Sequence, residues 1–214
     1  MAHDYMPISI NLKDRSCLVV GGGAVAARKV ETLIDYDTQI TVVAPEVHQK
    51  IEHYASEGRI TLEKRNYRPP EAAAYTLVIS ATDDNALNQQ VFDDARGSGA
   101  LVNVVDDPPR CDFIFPAVLR RDCLTAAIST DGKAPFVSGH LRAALETIFP
   151  THWERLMRTA ASFREQVRKR WADDSEKRNI CYTKFLEIDW KPMLQEMNNA
   201  DIQEELDKIL EDPA

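Results

Sequence analysis

The sequence predicts an α/β fold: a Rossmann-like parallel sheet, then a small α+β domain and a helical carboxyl-terminal domain. Three observations predict the α/β order. The run Cys17-Leu18-Val19-Val20-Gly21-Gly22-Gly23-Ala24-Val25-Ala26-Ala27 reads as a buried strand, a glycine turn and the start of a helix. Apolar segments then alternate with amphipathic ones as far as Val105, the pattern of a parallel sheet covered on both faces. The alternation breaks at Asp107-Pro108-Pro109, and from Thr151 onward the apolar residues recur at helical spacing.

Taken in order, residues 16–21 form the first strand and residues 25–36 the first helix. The glycines between them are spaced G-x-G-x-x-A, at Gly21, Gly23 and Ala26, with Gly22 inside the same turn. In a dinucleotide-binding turn the first glycine permits the bend and the second lets backbone approach a pyrophosphate. The small third residue draws the helix onto the strand. The helix start then offers free N–H groups and a positive dipole end to the phosphates.

Residues 39–45 (Q-I-T-V-V-A-P) read as the second strand. Residues 47–56 read as a helix with Val47, Ile51, Tyr54 and Ala55 on one side. Residues 59–64 alternate with a period of two and form a short strand. The fourth strand, 75–81, is apolar at its centre; a helix over 85–96 ends at Gly97-Ser98-Gly99; the fifth strand is 100–105. Beyond the break, strands over 113–120 and 124–129 meet at Arg121-Asp122, and a loop at 130–135 opens a helix over 136–148. Helices follow over 152–172, 175–188 and 200–211. The expected domains are therefore 1–112, 113–150 and 151–214.

Composition narrows the function. A chain of 214 residues suggests one or two domains with a sizeable core. It has no apolar run of about 18 residues, so no membrane helix is expected. Met1 to Tyr5 lacks the basic and apolar regions of a leader, which points to a soluble cytoplasmic protein. Cys17, Cys111, Cys123 and Cys181 form no C-x-x-C pair and read as reduced, scattered thiols. His3, His48, His53, His140 and His152 show no ligand spacing, so no metal site is expected. The net charge of −8 argues against nucleic acid as a partner. That charge is uneven: residues 1–106 carry −5, residues 107–180 carry +3 and residues 181–214 carry −6. An anionic ligand is therefore expected at the middle of the chain.

Each candidate residue has two readings. Glu46 follows the second strand, where an acidic residue binds the adenosine ribose hydroxyls; otherwise it serves the dipole of the next helix. No arginine sits beside it to receive a 2′-phosphate, which favours NAD over NADP. Thr82 follows the fourth strand and faces a ligand beyond the carboxyl edge of the sheet, or joins Asp83 and Asp84 in capping the next helix. Asn103 and Asp106 lie at the end of the fifth strand, the first a candidate for substrate, the second for a proton acceptor or for turn chemistry before proline. Asp107 is expected to point the other way. Ser129, Thr130 and Lys133 precede a helix start suited to an anion, or simply to a capped helix. Arg155, Arg158, Arg164, Arg168, Lys169 and Arg170 on the long helix read as a solvated face, or some of the arginines as carboxylate partners.

Together the blocks V-V-G-G-G-A-V-A-A-R-K-V, T-V-V-A-P, A-T-D-D-N-A-L-N, V-N-V-V-D-D-P, F-I-F-P-A-V and A-I-S-T-D-G-K-A-P resemble the precorrin-2 dehydrogenase family over about residues 6 to 170. That family includes stand-alone enzymes and the dehydrogenase part of sirohaem synthase. The resemblance implies NAD-dependent oxidation of precorrin-2 to sirohydrochlorin, a homodimer built on a central dimerisation domain, and in some members insertion of ferrous iron. By that match Ala24, Val25, Pro45 and Glu46 touch NAD, Asp106 is the catalytic aspartate and Thr130 lies near the tetrapyrrole. Arg110, Arg120, Arg121, Lys133 and Arg142 are candidate partners for its carboxylates. One departure is Asp37-Thr38 where the family has Gly-Ala, at a helix end. The acidic tail matches no motif of the family. A non-catalytic NAD-sensing module or a dedicated metal chelatase are the other functions the same residues allow.

Overall fold

The computed structural model describes residues 4–213; Met1, Ala2 and His3, read above for a leader and for histidine spacing, lie outside the described residues. Five parallel strands form one sheet in the order β3-β2-β1-β4-β5. This is the strand order of a dinucleotide-binding sheet through its fifth strand. The strands are β1 (Ser16–Val20), β2 (Gln39–Val43), β3 (Thr61–Glu63), β4 (Leu77–Ser80) and β5 (Leu101–Val104). The helices between them are α1 (Ala24–Ile34), α2 (Gln49–Ser56) and α3 (Asn85–Ser98).

The two faces of β1 account for its unbroken apolar run. Cys17 and Val19 join a core with α1 (Val30, Leu33) and α2 (Ile51). Leu18 and Val20 join the opposite core with α3 (Val91, Ala95). Successive side chains alternate across the sheet, so a strand covered on both faces must be apolar at every position. The register matters for function. Val43, Val20, Ser80 and Val104 stand side by side, so β2, β1, β4 and β5 end flush at one edge.

Helix ends differ from expectation by a few residues, each for a local reason. α2 begins at Gln49 because His48 is its cap: the His48 ring Nδ1 accepts from the Lys50 N–H at 3.2 Å. α3 runs through Gly97 and ends where Gly99 turns left-handed at φ 82°. Asp37 takes the left-handed conformation, φ 51°, that a glycine usually supplies, and Thr38 donates to the Arg15 carbonyl at 2.7 Å.

The chain forms two compact units that divide after Phe115. The expected boundary after residue 112 falls three residues early, because Phe113 and Phe115 pack against the first core. For the same reason these residues do not extend the next strand, which starts at Ala117. In the second unit, β6 (Ala117–Arg121) and β7 (Leu124–Ile128) form an antiparallel hairpin around Asp122-Cys123, with Asp122 at φ 54°. α4 (Pro135–Ile148) packs on β6. The expected central and helical regions belong to this same unit. α5 (Trp153–Arg170), α6 (Ser175–Glu187), α7 (Trp190–Glu196) and α8 (Asn199–Glu211) enclose a third core around Phe163, Val167, Cys181 and Leu206. α7 was not expected from the sequence, and it contains Pro192. The proline sits in the first turn, where a missing N–H costs nothing.

Candidate functional site

A cleft of about 500 Å³ opens at the carboxyl edge of the sheet, walled by the turns after β1, β2, β3 and β4. It brings together Gly21, Gly22, Gly23, Ala24, Val25, Pro45, Glu46 and Thr82, all expected from the sequence. The three glycines do different work. Gly21 sits at φ 116°, and a Cβ there would lie 2.2 Å from the Ala81 carbonyl oxygen. A Cβ on Gly22 would lie 1.9 Å from the Glu46 carbonyl oxygen. The Gly22 carbonyl also accepts from the His48 N–H at 2.7 Å, which fixes the turn after β2 against the turn after β1. Gly23 faces no atom within 4 Å of an added Cβ. Its open side is the place where a phosphate can reach the backbone.

The start of α1 is built for an anion. Gly23 caps it with no side-chain hydrogen bond, and its first turn holds no acidic residue. The first return bond within the helix is Ala27 N–H to the Gly23 carbonyl at 3.0 Å. The N–H groups of the first turn therefore have no partner within the helix. Neighbouring helix starts are closed. The Asp84 carboxylate accepts from the Ala86 and Leu87 N–H groups at 2.9 and 3.1 Å, and His48 closes α2. Of these three helices, only the one at the glycine turn leaves its donors to a ligand.

Glu46 is exposed at the rim and stands two residues ahead of the α2 cap, so it is not a helix-start carboxylate. Thr82 lines the cleft, but its hydroxyl is occupied. It lies 2.8 Å from Asn88 Oδ1, which also accepts from Ser80, while Asn88 Nδ2 donates to the Thr82 carbonyl at 3.0 Å. Thr82 thus shapes the turn through buried Asn88 and meets the cleft with its remaining surface.

The structure separates the adjacent aspartates. Asp106 follows β5 at the same sheet edge, exposed, with φ 60°. Asp tolerates this left-handed backbone better than most residues. Asp107 pairs with Arg110 at 2.6 Å. Asp106 is not a wall of the cleft itself; its strand lies two strands from β1, about 10 Å across the sheet. Asn103, the substrate candidate, has a structural bond. It is buried, and its Nδ2 donates to the Phe113 carbonyl at 2.8 Å, fastening β5 to the segment that follows.

Asn66 and Tyr67 also wall the cleft and were not singled out from the sequence. Their signal is their place after β3, another strand ending at this edge. The Tyr67 hydroxyl donates to Asp94 at 2.7 Å and accepts from the Ala72 N–H at 3.0 Å. Burial and the Asp94 carboxylate push its pKa well above the usual tyrosine range. Next to it the Arg65 guanidinium grips Glu71 at 2.9 and 2.6 Å, and that hydrogen bonding holds the Glu71 carboxyl below its ordinary range. This wall is therefore fixed by paired groups.

The remaining candidates belong to the second unit. Ser129 Oγ accepts from the Asp131 N–H at 3.1 Å, and Thr130 Oγ1 accepts from the Ala134 N–H at 3.1 Å. Both hydroxyl hydrogens still have a bond to give. Lys133 is exposed beside them, and α4 opens at Ala134 without a side-chain cap. Several expected cations serve the protein itself. Arg121 donates to the Phe149 carbonyl at 2.7 Å, Arg142 pairs with Glu146, and Arg155 donates to Asn199 at 2.8 Å. Among the described residues no cluster of three or more His, Cys, Asp or Glu could hold a metal ion, and no helix is long and apolar enough to cross a membrane.

Comparison with known proteins agrees with this geometry. Residues 8–117 match the family described as "Putative NAD(P)-binding". The chain is 41% identical over 166 residues to a protein of Nitrosococcus oceani named siroheme synthase, covering 78% of this chain and 36% of that protein. It is 37% identical over 208 residues to siroheme synthase 1 of Serratia proteamaculans, covering 97% of this chain and 44% of that protein. The chain thus spans less than half the length of these relatives. A solved structure named SirC, precorrin-2 dehydrogenase, superposes with a TM-score of 0.79 at 23% identity, covering 97% of this chain and 99% of that one. The sheet order, the glycine turn and the match over residues 8–117 place the chain in this family of NAD(P)-binding proteins, to which it belongs.

Proposed function

We propose that the chain oxidises precorrin-2 to sirohydrochlorin with NAD, in the cytoplasm, as a step of sirohaem and tetrapyrrole biosynthesis. The observation that carries this reading is the open start of α1 beside Gly23, at the sheet edge where Asp106 follows β5. The names of the relatives and of the solved structure support the substrate. The cleft fits the dinucleotide: the backbone at Gly23, Ala24 and Val25 binds the pyrophosphate, and Glu46 binds the adenosine ribose. NAD, when bound, accepts the hydride. Asp106 takes the accompanying proton from the substrate, being exposed at the strand end on the far side of the turn from the ribose site. Ser129, Thr130, Lys133 and the start of α4 receive carboxylates of the tetrapyrrole.

Spectra of precorrin-2 with NAD, with NADP and with neither dinucleotide test this. Conversion to sirohydrochlorin is expected with NAD. It is expected to be slower with NADP, since Glu46 repels a 2′-phosphate. No conversion with either dinucleotide sinks the dehydrogenase reading; a clear preference for NADP sinks the role of Glu46.

The same reading includes a homodimer through residues 113–150. α4 leaves Phe136 79% exposed and Ile148 58% exposed, and a two-stranded hairpin is at best marginally stable alone. A second copy covers these groups. Light scattering at micromolar concentration is expected to give twice the chain mass, and Phe136→Glu to give the single mass. A monomeric parent protein contradicts the interface.

A further inference from the structure

We propose that Lys29 is a positioning residue for Asp106: its ammonium, seated on the Phe115 ring, holds the segment that carries the Asp106 turn. The inference rests on the role proposed above for Asp106. After β5 the chain turns left-handed at Asp106, passes a short helical turn at Pro108–Arg110 and comes back along β5. The returning segment is tied at its base. Asn103 bridges Cys111 in antiparallel fashion, the Asp112 N–H donates to the Val102 carbonyl at 2.8 Å, and the Val102 N–H donates to the Asp112 carboxylate at 3.1 Å. Farther along, Phe113 and Phe115 meet edge to face at 5.4 Å, and Lys29 Nζ lies 3.9 Å from the Phe115 ring centre.

Lys29 belongs to α1, the helix whose start forms the phosphate cradle. One rigid element therefore carries the cofactor-binding backbone and the group that clamps the Asp106 segment. A desolvated ammonium on an aromatic face is a stronger contact than an exposed one. Burial holds this ammonium below its ordinary range; Arg28 pushes the same way, and Asp106 and Cys111 oppose it. The other charged groups of the segment are Asp107, paired with Arg110, and Asp112. The bland alternative is a lysine stem that covers the core while its head reaches for water. Methionine at the position keeps such a stem and removes the charge, so the two readings separate.

The test uses the full chain with Lys29→Met and Lys29→Arg. In Lys29→Met, kcat for precorrin-2 is expected to fall about ten- to hundredfold, the scale of a small misplacement of a reacting group. The KM for precorrin-2 and the affinity for NAD stay within about twofold, because the glycine turn and the backbone at the start of α1 are untouched. Lys29→Arg keeps a cation on the ring and restores most of kcat. Amide hydrogen exchange over residues 105–115 is expected to run about three- to thirtyfold faster in Lys29→Met, the factor a lost cation–π contact implies, and to return to the parent rate in Lys29→Arg. Unchanged kcat in Lys29→Met, or unchanged exchange of that segment, overturns the proposal. If the parent protein does not oxidise precorrin-2, the functional reading fails instead, and the exchange rates alone decide whether Lys29 holds the turn.

Discussion

Asp106→Asn is expected to lower precorrin-2 turnover about 10²- to 10⁴-fold, the usual contribution of a general base, with NAD affinity unchanged. Asparagine is the better variant because of the backbone. Asp106 sits at φ 60°, and asparagine shares aspartate's tolerance of that conformation. Alanine there adds strain of about 1–2 kcal/mol, which confuses loss of chemistry with loss of the turn. The neighbouring carboxylate supplies the control. Asp107 is paired with Arg110, one of whose guanidinium nitrogens, Nη1, is buried with no partner of its own. Asp107→Asn should therefore cost stability, by weakening the pairing of a half-buried cation, and leave turnover by the folded protein close to normal. Steady-state rates with a dinucleotide titration and a melting curve for each variant separate the two. Near-normal turnover in Asp106→Asn would remove this residue from the chemistry and leave substrate positioning as the source of rate.

The sequence separates the adjacent aspartates only by strand alternation, and that argument does not reach them. Both residues lie past the end of β5. They diverge because Asp106 adopts a left-handed turn and Asp107 finds Arg110 three residues on. Much of the sheet was legible because its evidence is local. β1 is apolar at every buried position, and glycine spacing marks the turn that follows. What was not legible depends on partners distant in sequence. Gly22 was expected inside the dinucleotide turn, yet nothing local says that a side chain there meets the backbone of Glu46, 24 residues later. Asn103 looked like a polar group at a ligand edge, until the carbonyl of Phe113 proved to be its partner. Arg121 and Arg142 carried the expected charge at the expected place, but Phe149 and Glu146 hold them. Charge counts show where cations cluster and are silent on which are already paired.

Gly23→Asp is expected to cost about 10²-fold or more in NAD affinity, since hydrogen bonds to a charged group contribute about 1.5–3 kcal/mol each, while the protein stays folded. The three glycines make this a clean experiment. At Gly22 a Cβ would collide with a carbonyl oxygen at 1.9 Å, so even alanine forces the turns after β1 and β2 apart and destabilises the fold. At Gly23 no heavy atom lies within 4 Å, and its φ of −73° is one that any L-residue adopts. Aspartate is moreover among the preferred caps of a helix. Its carboxylate would accept from the N–H groups that α1 now leaves open, and melting temperature should hold or rise. The same substitution removes the donors a pyrophosphate needs and places a negative charge in its seat. Stability and cofactor affinity should therefore move in opposite directions. Calorimetric titration with NAD beside a melting curve reads both. Unchanged affinity in a folded Gly23→Asp protein would place the dinucleotide elsewhere, and the open start of α1 would then have no ligand to explain it.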